Sequence, residues 1–310
     1  MGWTAKDMPD LTGRTIVVTG ANSGLGYEGA RAFAAKGARV VMACRSAEKA
    51  GAACDRIRAE SRAAKIEVKS LDLASLESVR RFAEEVNRTC ERIDVLCNNA
   101  GVMAIPRRET AEGFEMQLGT NHFGHFALSG LLLPKLCATK GARVVTQSSS
   151  AHRMGRMAFD DLQGKERYGK WPAYGQSKLA NLLFAFELER RLERAGADVM
   201  SVACHPGYAA TELQFAGPRM EGSSLMERIM TLGNRLLAQD AAAGAWPMLY
   251  AATSPDVRGG DYIGPSSVGE LWGSPKKVGA TARARDAEDA ARLWKISEEL
   301  TGVHYAELRS

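Results

Sequence analysis

The stretch TIVVTGANSGLG, residues 15–26, decides the fold. Its first half, TIVV, is a short β-branched run bounded by a turn signal, the pattern of a buried strand. Three glycines then fall at positions 20, 24 and 26, and a helical pattern follows to about residue 36. Gly20 allows a tight turn, Gly24 lets backbone approach a pyrophosphate, and Gly26 permits close packing of the helix. The free N–H groups and the dipole of that helix end would hold phosphate oxygens. Gly20, Asn22, Ser23, Gly24, Leu25 and Gly26 are therefore candidate dinucleotide-binding residues. A plain strand-to-helix turn is the alternative reading of the same string.

Outward from this turn, short apolar runs alternate with longer helical patterns. Strands are expected over residues 39–43, 66–71, 93–96, 143–146 and 198–204. Helices are expected over 47–61, 76–90, 112–136 (one or two) and 174–194. Continuous apolar strands separated by amphipathic helices imply a parallel sheet covered on both faces. Right-handed crossovers then give an α/β, doubly wound Rossmann fold. We expect a mostly parallel seven-stranded sheet in one reductase-sized domain, residues 11–303, with a cofactor half at about 11–150 and a catalytic half at about 151–303. Residues 151–171 and 208–239 break the alternation, and each follows a strand C-terminus, where such sheets bind ligands. The first is polar and reads either as surface insertion or as part of the site. The second carries Leu213, Phe215, Met220, Met226 and Met230 and reads either as core helix or, as we favour, a helical substrate lid.

Composition excludes several classes. A chain of 310 residues that is 45% hydrophobic and 25% charged is neither disordered nor fibrous. Forty-one Lys and Arg against 36 Asp and Glu leave +5, too small and too scattered for a nucleic-acid surface. There is no secretory h-region near the start, and no run of about eighteen apolar residues that would span a membrane. The six cysteines (44, 54, 90, 97, 137 and 204) form no CxxC pair and read as reduced, mostly buried thiols in a cytoplasmic protein. His122, His125, His152 and His205 stand on different elements without carboxylate-rich spacing, so no metal is expected.

The end of the second strand bears on cofactor choice. A sheet that binds NAD places an acidic residue about twenty positions past the glycines. That slot holds Cys44, followed by Arg45. A thiol cannot bind the ribose diol as a carboxylate does, whereas a guanidinium can pair with a 2′-phosphate. NADP(H) is therefore favoured. At the other end, YGQSK (174–178) puts Tyr174 and Lys178 at i and i+4, on one helical face. A neighbouring cation should lower the phenol's pKa toward the range useful for proton transfer. TQSSSAH (146–152), NNAG (98–101) and CHPG (204–207) all end strands.

In this company the chain resembles the short-chain dehydrogenase/reductases from Leu11 to about Leu300. Its motifs run in that family's order: TGANSGLG, LDL (71–73), NNAG, TNHFG (120–124), SSS, YxxxK and PGxxxT (206–211). The resemblance implies a catalytic tetrad of Asn121, Ser149, Tyr174 and Lys178, with Ser149 chosen over Ser148 and Ser150 by its place at the strand end. Tyr174 would exchange the proton, Ser149 would bind the carbonyl oxygen, Lys178 would hold the nicotinamide ribose and tune Tyr174, and Asn121 would hold a relay water. Asp72 and Leu73 would meet the adenine, and Asn99, Ala100 and Gly101 would line the adenosine side. Pro206, Gly207 and Thr211 would fix the nicotinamide. ACRS (43–46), TNHFGHF (120–126) and the long 149–174 segment resemble retinol dehydrogenases and the related WW-domain oxidoreductases. LWKISEEL (293–300) resembles light-dependent protochlorophyllide reductases, but Tyr208 stands where those have cysteine.

The implied activity is NADPH-dependent hydride transfer to or from a hydrophobic carbonyl or alcohol. A protochlorophyllide-reductase-like double-bond reductase and a non-catalytic NADP(H) sensor or scaffold are the alternatives. The family resemblance also implies a homodimer through helices beginning near Gly119 and Tyr174, or its obstruction by a C-terminal extension.

Overall fold

A computed structural model describes residues 2–208 and 240–308. The strands are β1 (Thr15–Thr19), β2 (Arg39–Cys44), β3 (Lys65–Ser70), β4 (Val95–Asn98), β5 (Ala142–Gln147), β6 (Val199–Cys204), β7 (Tyr262–Pro265) and β8 (Pro275–Lys277). They lie in the order β3-β2-β1-β4-β5-β6-β7-β8, the first seven parallel and β8 antiparallel. The expected count of seven is thus exceeded by one. PKK carries no apolar alternation, so nothing in its composition marks it as a strand. An edge tolerates its proline, and its two lysines discourage further pairing.

Helices α1 (Gly24–Ala35), α2 (Ala47–Glu60), α3 (Leu76–Thr89), α4 (Met116–Leu118), α5 (Gly124–Cys137), α6 (Lys170–Arg194), α7 (Ala241–Thr253) and α8 (Ala287–Thr301) cover the sheet. One apolar layer joins the sheet to α1, α2 and α7, through side chains such as Phe33, Ile57 and Met248. The opposite face buries Phe82, Leu132 and Leu188 of α3, α5 and α6. Strand connections reverse between β1 and β4, so a crevice opens there beyond the strand C-termini.

Two local features aim the chemistry. First, α6 starts at Lys170, a turn before Tyr174, so Tyr174 sits in regular helix rather than at a frayed end. Second, residues Gly119–Phe123 form one π-helical turn between α4 and α5, with Asn121 at its centre. Such a turn carries an extra residue and re-aims the groups around it. The C-terminal part closes over α5 and α6. Trp294 packs edge-on to Phe126 and stacked on Phe184, while the Tyr305 hydroxyl donates to Phe126 O at 2.7 Å.

The polar insertion at 151–171 is pinned to the segment between β4 and α4 and to α4's N-cap. Tyr168 donates to Ile105 O at 2.8 Å, Arg107 Nε donates to Gly164 O at 2.9 Å, and Gln163 accepts from Glu115 N at 2.6 Å. The expected lid at 208–239 lies outside the described residues, apart from Tyr208.

Candidate active site

The glycine turn opens the crevice. Gly20 has φ +67° and Gly24 φ +51°, left-handed values that favour glycine. At Gly26 a Cβ would overlap Gly20 O and stand 2.6 Å from Asn99 Nδ2. Thr19 organises the crossing from β1 to β4: its hydroxyl accepts from the N–H groups of Asn99 and Ala100, both at 2.9 Å. The Asn99 amide donates to Thr19 O at 2.7 Å. The Asn99 side chain therefore braces the glycine turn.

A cavity of about 160 Å³ is lined by Gly20, Asn22, Cys44, Arg45, Asp72 and Leu73, together with Ala100 and Gly101. The 2 % exposed Cys44 thiol is pushed up to about 11 by burial and stays uncharged at neutral pH. Arg45 is exposed, and no carboxylate among the described residues pairs with it, so its fork is open to an anion. Asp72 accepts from Ala74 N at 3.0 Å, which fixes its carboxylate beside the cavity. Ser23 caps α1 without using its hydroxyl in a cap bond.

At the chemical end, Tyr174 is 5% exposed and hydrogen-bonded to Ser149. Its two neighbours act elsewhere: Ser148 Oγ donates to Lys178 O at 2.8 Å, and Ser150 is exposed. Lys178 Nζ stands 5.7 Å from the Tyr174 ring centroid and donates to Gln147 O at 3.3 Å. Burial pushes the Tyr174 phenol up to about 12, against a smaller opposing pull from Ser149. The expected lowering by Lys178 is absent: burial sets the direction, and only the Ser149 hydrogen bond opposes it. Burial also lowers Lys178 to about 8, so it is still mostly charged at pH 7.

The Asn121 side chain is fully engaged inside the protein. Its Nδ2 donates to Val102 O and to Ser177 Oγ, both at 2.9 Å, and its Oδ1 accepts from Val102 N at 2.8 Å. A relay water would thus be held by the main-chain carbonyl, which also accepts from His125 Nδ1 at 3.0 Å. His125 Nε2 faces the Thr19 hydroxyl at 2.9 Å. Burial brings His125 down to about 4, so the ring is neutral and its Nε2 accepts from Thr19. The sequence offered one signal for this link, the i, i+4 spacing of Asn121 and His125.

Gly207, at φ +70°, follows Pro206 beyond β6. Its N–H donates to His205 Nδ1 at 3.2 Å. Thr211 lies outside the described residues. Exposed apolar side chains stand on segments flanking this end: Met154, Trp171 (6.3 Å from the Tyr174 ring), Tyr208, Val268, Leu271 and Trp272. None was singled out from sequence as a group, since they come from three separate segments.

With this geometry in view, the comparisons with known proteins are direct. Residues 14–221 match the short chain dehydrogenase family. The chain belongs to that family and is an oxidoreductase of it. Retinol dehydrogenase 12 of Mus musculus is 40% identical over 295 residues, 95% of this chain and 88% of that protein. A crystal structure of an uncharacterized protein from Mycobacterium Paratuberculosis is 45% identical, with TM-score 0.80 over 98% of this chain and 99% of that one. An NAD(P) dependent gluconate 5-dehydrogenase from Beutenbergia cavernae, with bound NADP at low occupancy, is 29% identical, with TM-score 0.59 over 79% of this chain and 91% of that one. Among the described residues no helix is long and apolar enough to cross a membrane.

Proposed function

We propose that the protein is an NADPH-dependent carbonyl reductase acting on a hydrophobic substrate, with residues 11–303 as one cytoplasmic reductase domain. The observation that carries this reading is the buried, protonated Tyr174, bonded to Ser149 and backed by Lys178. The crevice suits a dinucleotide phosphate: a tight turn held by left-handed Gly20 and Gly24, an uncharged Cys44 and an open Arg45 fork. Bound NADPH would supply the hydride, and Lys178 and Gly207 would flank its nicotinamide half. Free, mostly buried thiols suit a reducing compartment.

Ser149 donates to the carbonyl oxygen and stabilises charge as it develops there. Tyr174 Oη gives its proton to that oxygen. A phenol held near 12 is a weak acid, yet far stronger than the alcohol being formed, so transfer runs downhill once hydride arrives. The Lys178 cation then stabilises the phenolate left behind, which is where its charge has most effect. The exposed apolar rim supports a hydrophobic carbonyl, and its desolvation on binding would contribute affinity.

Tyr174→Phe tests the reading. Turnover on a panel of apolar aldehydes and ketones should fall by about 10²–10⁴-fold, while NADPH binding, followed by fluorescence, stays near wild type. A Tyr174-independent rate, or NADPH binding with no turnover on any carbonyl, would favour the sensor alternative.

A further inference from the structure

Behind Ser149, two groups outside the tetrad converge on one oxygen atom, Glu270 Oε2. Arg153 Nη2 donates to Glu270 Oε2 at 2.9 Å, and His205 Nε2 donates to the same atom at 3.0 Å. His205 then accepts on Nδ1 from Gly207 N at 3.2 Å. Both ring nitrogens of a neutral histidine are thereby satisfied, with one tautomer fixed by the carboxylate. Burial keeps His205 near 4 and hence uncharged. On the other side, Arg153 ends the short 3-10 turn Ser150–Arg153 that Ser149 caps. His152 in that turn donates from Nδ1 to Ser149 O at 2.7 Å.

Glu270 lies beyond the segment that matches the family, residues 14–221, in the loop between β7 and β8. Its backbone is left-handed at φ +57°, one of two such non-glycine residues among those described. A non-glycine residue held there costs free energy that its surroundings must offset. The carboxylate is largely buried, 18% exposed, and His205 is fully so.

From this convergence we propose that Glu270 is a positioning residue: its carboxylate clamps the turn bearing Ser149 to the turn bearing Gly207, holding the carbonyl-binding hydroxyl and the nicotinamide-side backbone in register. The clamp rests on the reductase reading above. Glu270 touches neither substrate nor cofactor; it acts through Arg153 on one side and through His205 on the other. Its neighbours Val268, Leu271 and Trp272 are exposed and apolar, so replacing Glu270 leaves the apolar rim in place.

Two variants separate the arms. Arg153→Gln cuts only the serine arm: kcat should fall by about tenfold while the NADPH Kd stays within twofold. Glu270→Gly cuts both arms, and glycine suits the left-handed backbone. Here kcat should fall at least as far, the NADPH Kd should rise, the carbonyl KM should stay within twofold, and Tm should hold or increase. Glu270→Gln, which keeps an acceptor oxygen, should recover part of the loss.

Unchanged kcat in Arg153→Gln overturns the clamp, as does an unchanged NADPH Kd in Glu270→Gly. Rate losses that simply track a falling Tm, equal for Gln and Gly, also overturn it, since those would mark a merely structural carboxylate. Should the unmodified protein show no Tyr174-dependent turnover, the reductase reading fails, and the NADPH Kd of Glu270→Gly alone decides for or against the clamp.

Discussion

Replacing Lys178 by Met should make the protein more stable and less active. Lys178 is 2% exposed, and its ammonium is lowered from 10.5 to about 8 by burial. A depression of that size corresponds to about 3 kcal/mol of destabilisation while the amine is charged in both states. The sign follows from proton counting. Below about pH 8 folded and unfolded chains both carry the proton, and the folded state bears the whole penalty. Between about 8 and 10.5 the unfolded chain binds more protons than the folded one, so the native protein gains stability as pH rises through that window. Met loses the long hydrogen bond to Gln147 O, 3.3 Å, and leaves a small void where the ammonium stood. Together these offset about 1–2 kcal/mol. A net gain of about 1–2 kcal/mol remains at pH 7, or roughly 1.5–3 °C in Tm for a chain of this length. Calorimetry of wild type and Lys178→Met at pH 7 and pH 9.5, with turnover measured alongside, tests this. The Tm advantage should shrink at the higher pH, and kcat should drop at both. A variant that melts below wild type at pH 7, or whose Tm difference does not change with pH, would refute the desolvation argument.

Two further outcomes follow from the cofactor crevice. Arg45→Ala should raise the KM for NADPH about tenfold or more and leave that for NADH nearly unchanged, because a charge-assisted fork to the 2′-phosphate is lost; added salt should narrow the wild-type preference, and equal effects on the two cofactors would contradict the assignment. Gly26→Ala places a methyl group against Gly20 O and Asn99 Nδ2, so it should abolish dinucleotide binding, read by fluorescence titration, and lower Tm by several degrees; unaltered binding would show that the turn can relax.

The parts legible in the sequence are those written in short covalent spacing. TGANSGLG, YGQSK and the apolar runs of β1 to β6 each carry their signal within a few residues, and the parallel sheet with its crevice follows from their order. The choice of Ser149 rests on aligning SS with the family's usual strand end, and its neighbour Ser148 turns inward to Lys178 O. What stayed hidden depends on closure in space. The family resemblance gives Asn99 a lining role, and only the fold shows that its amide reaches Thr19 O, eighty positions earlier. Glu270 meets Arg153 across 117 positions, and no spacing rule reaches that far. The Tyr174 phenol went against expectation for a related reason: the i, i+4 lysine was visible, but the burial that sets the direction belongs to the assembled fold.

The same distinction bears on assembly. The helices that begin near Gly119 and Tyr174 offer an apolar face, which the family resemblance gives to a second copy. Here α8 and the residues after it lie on that face. Trp294 is 3% exposed and Tyr305 2%, both packed with Phe126. Arg191 lies over the Trp294 ring at 4.3 Å, which covers the indole from the other side. Exposing two such aromatic side chains to water would cost several kcal/mol before any new contact formed. A pairing through the part of α5 and α6 that these side chains cover would have to displace them and break the Tyr305 bond to Phe126 O. The aromatic set thus serves as an internal partner for α6, the helix that carries Tyr174 and Lys178.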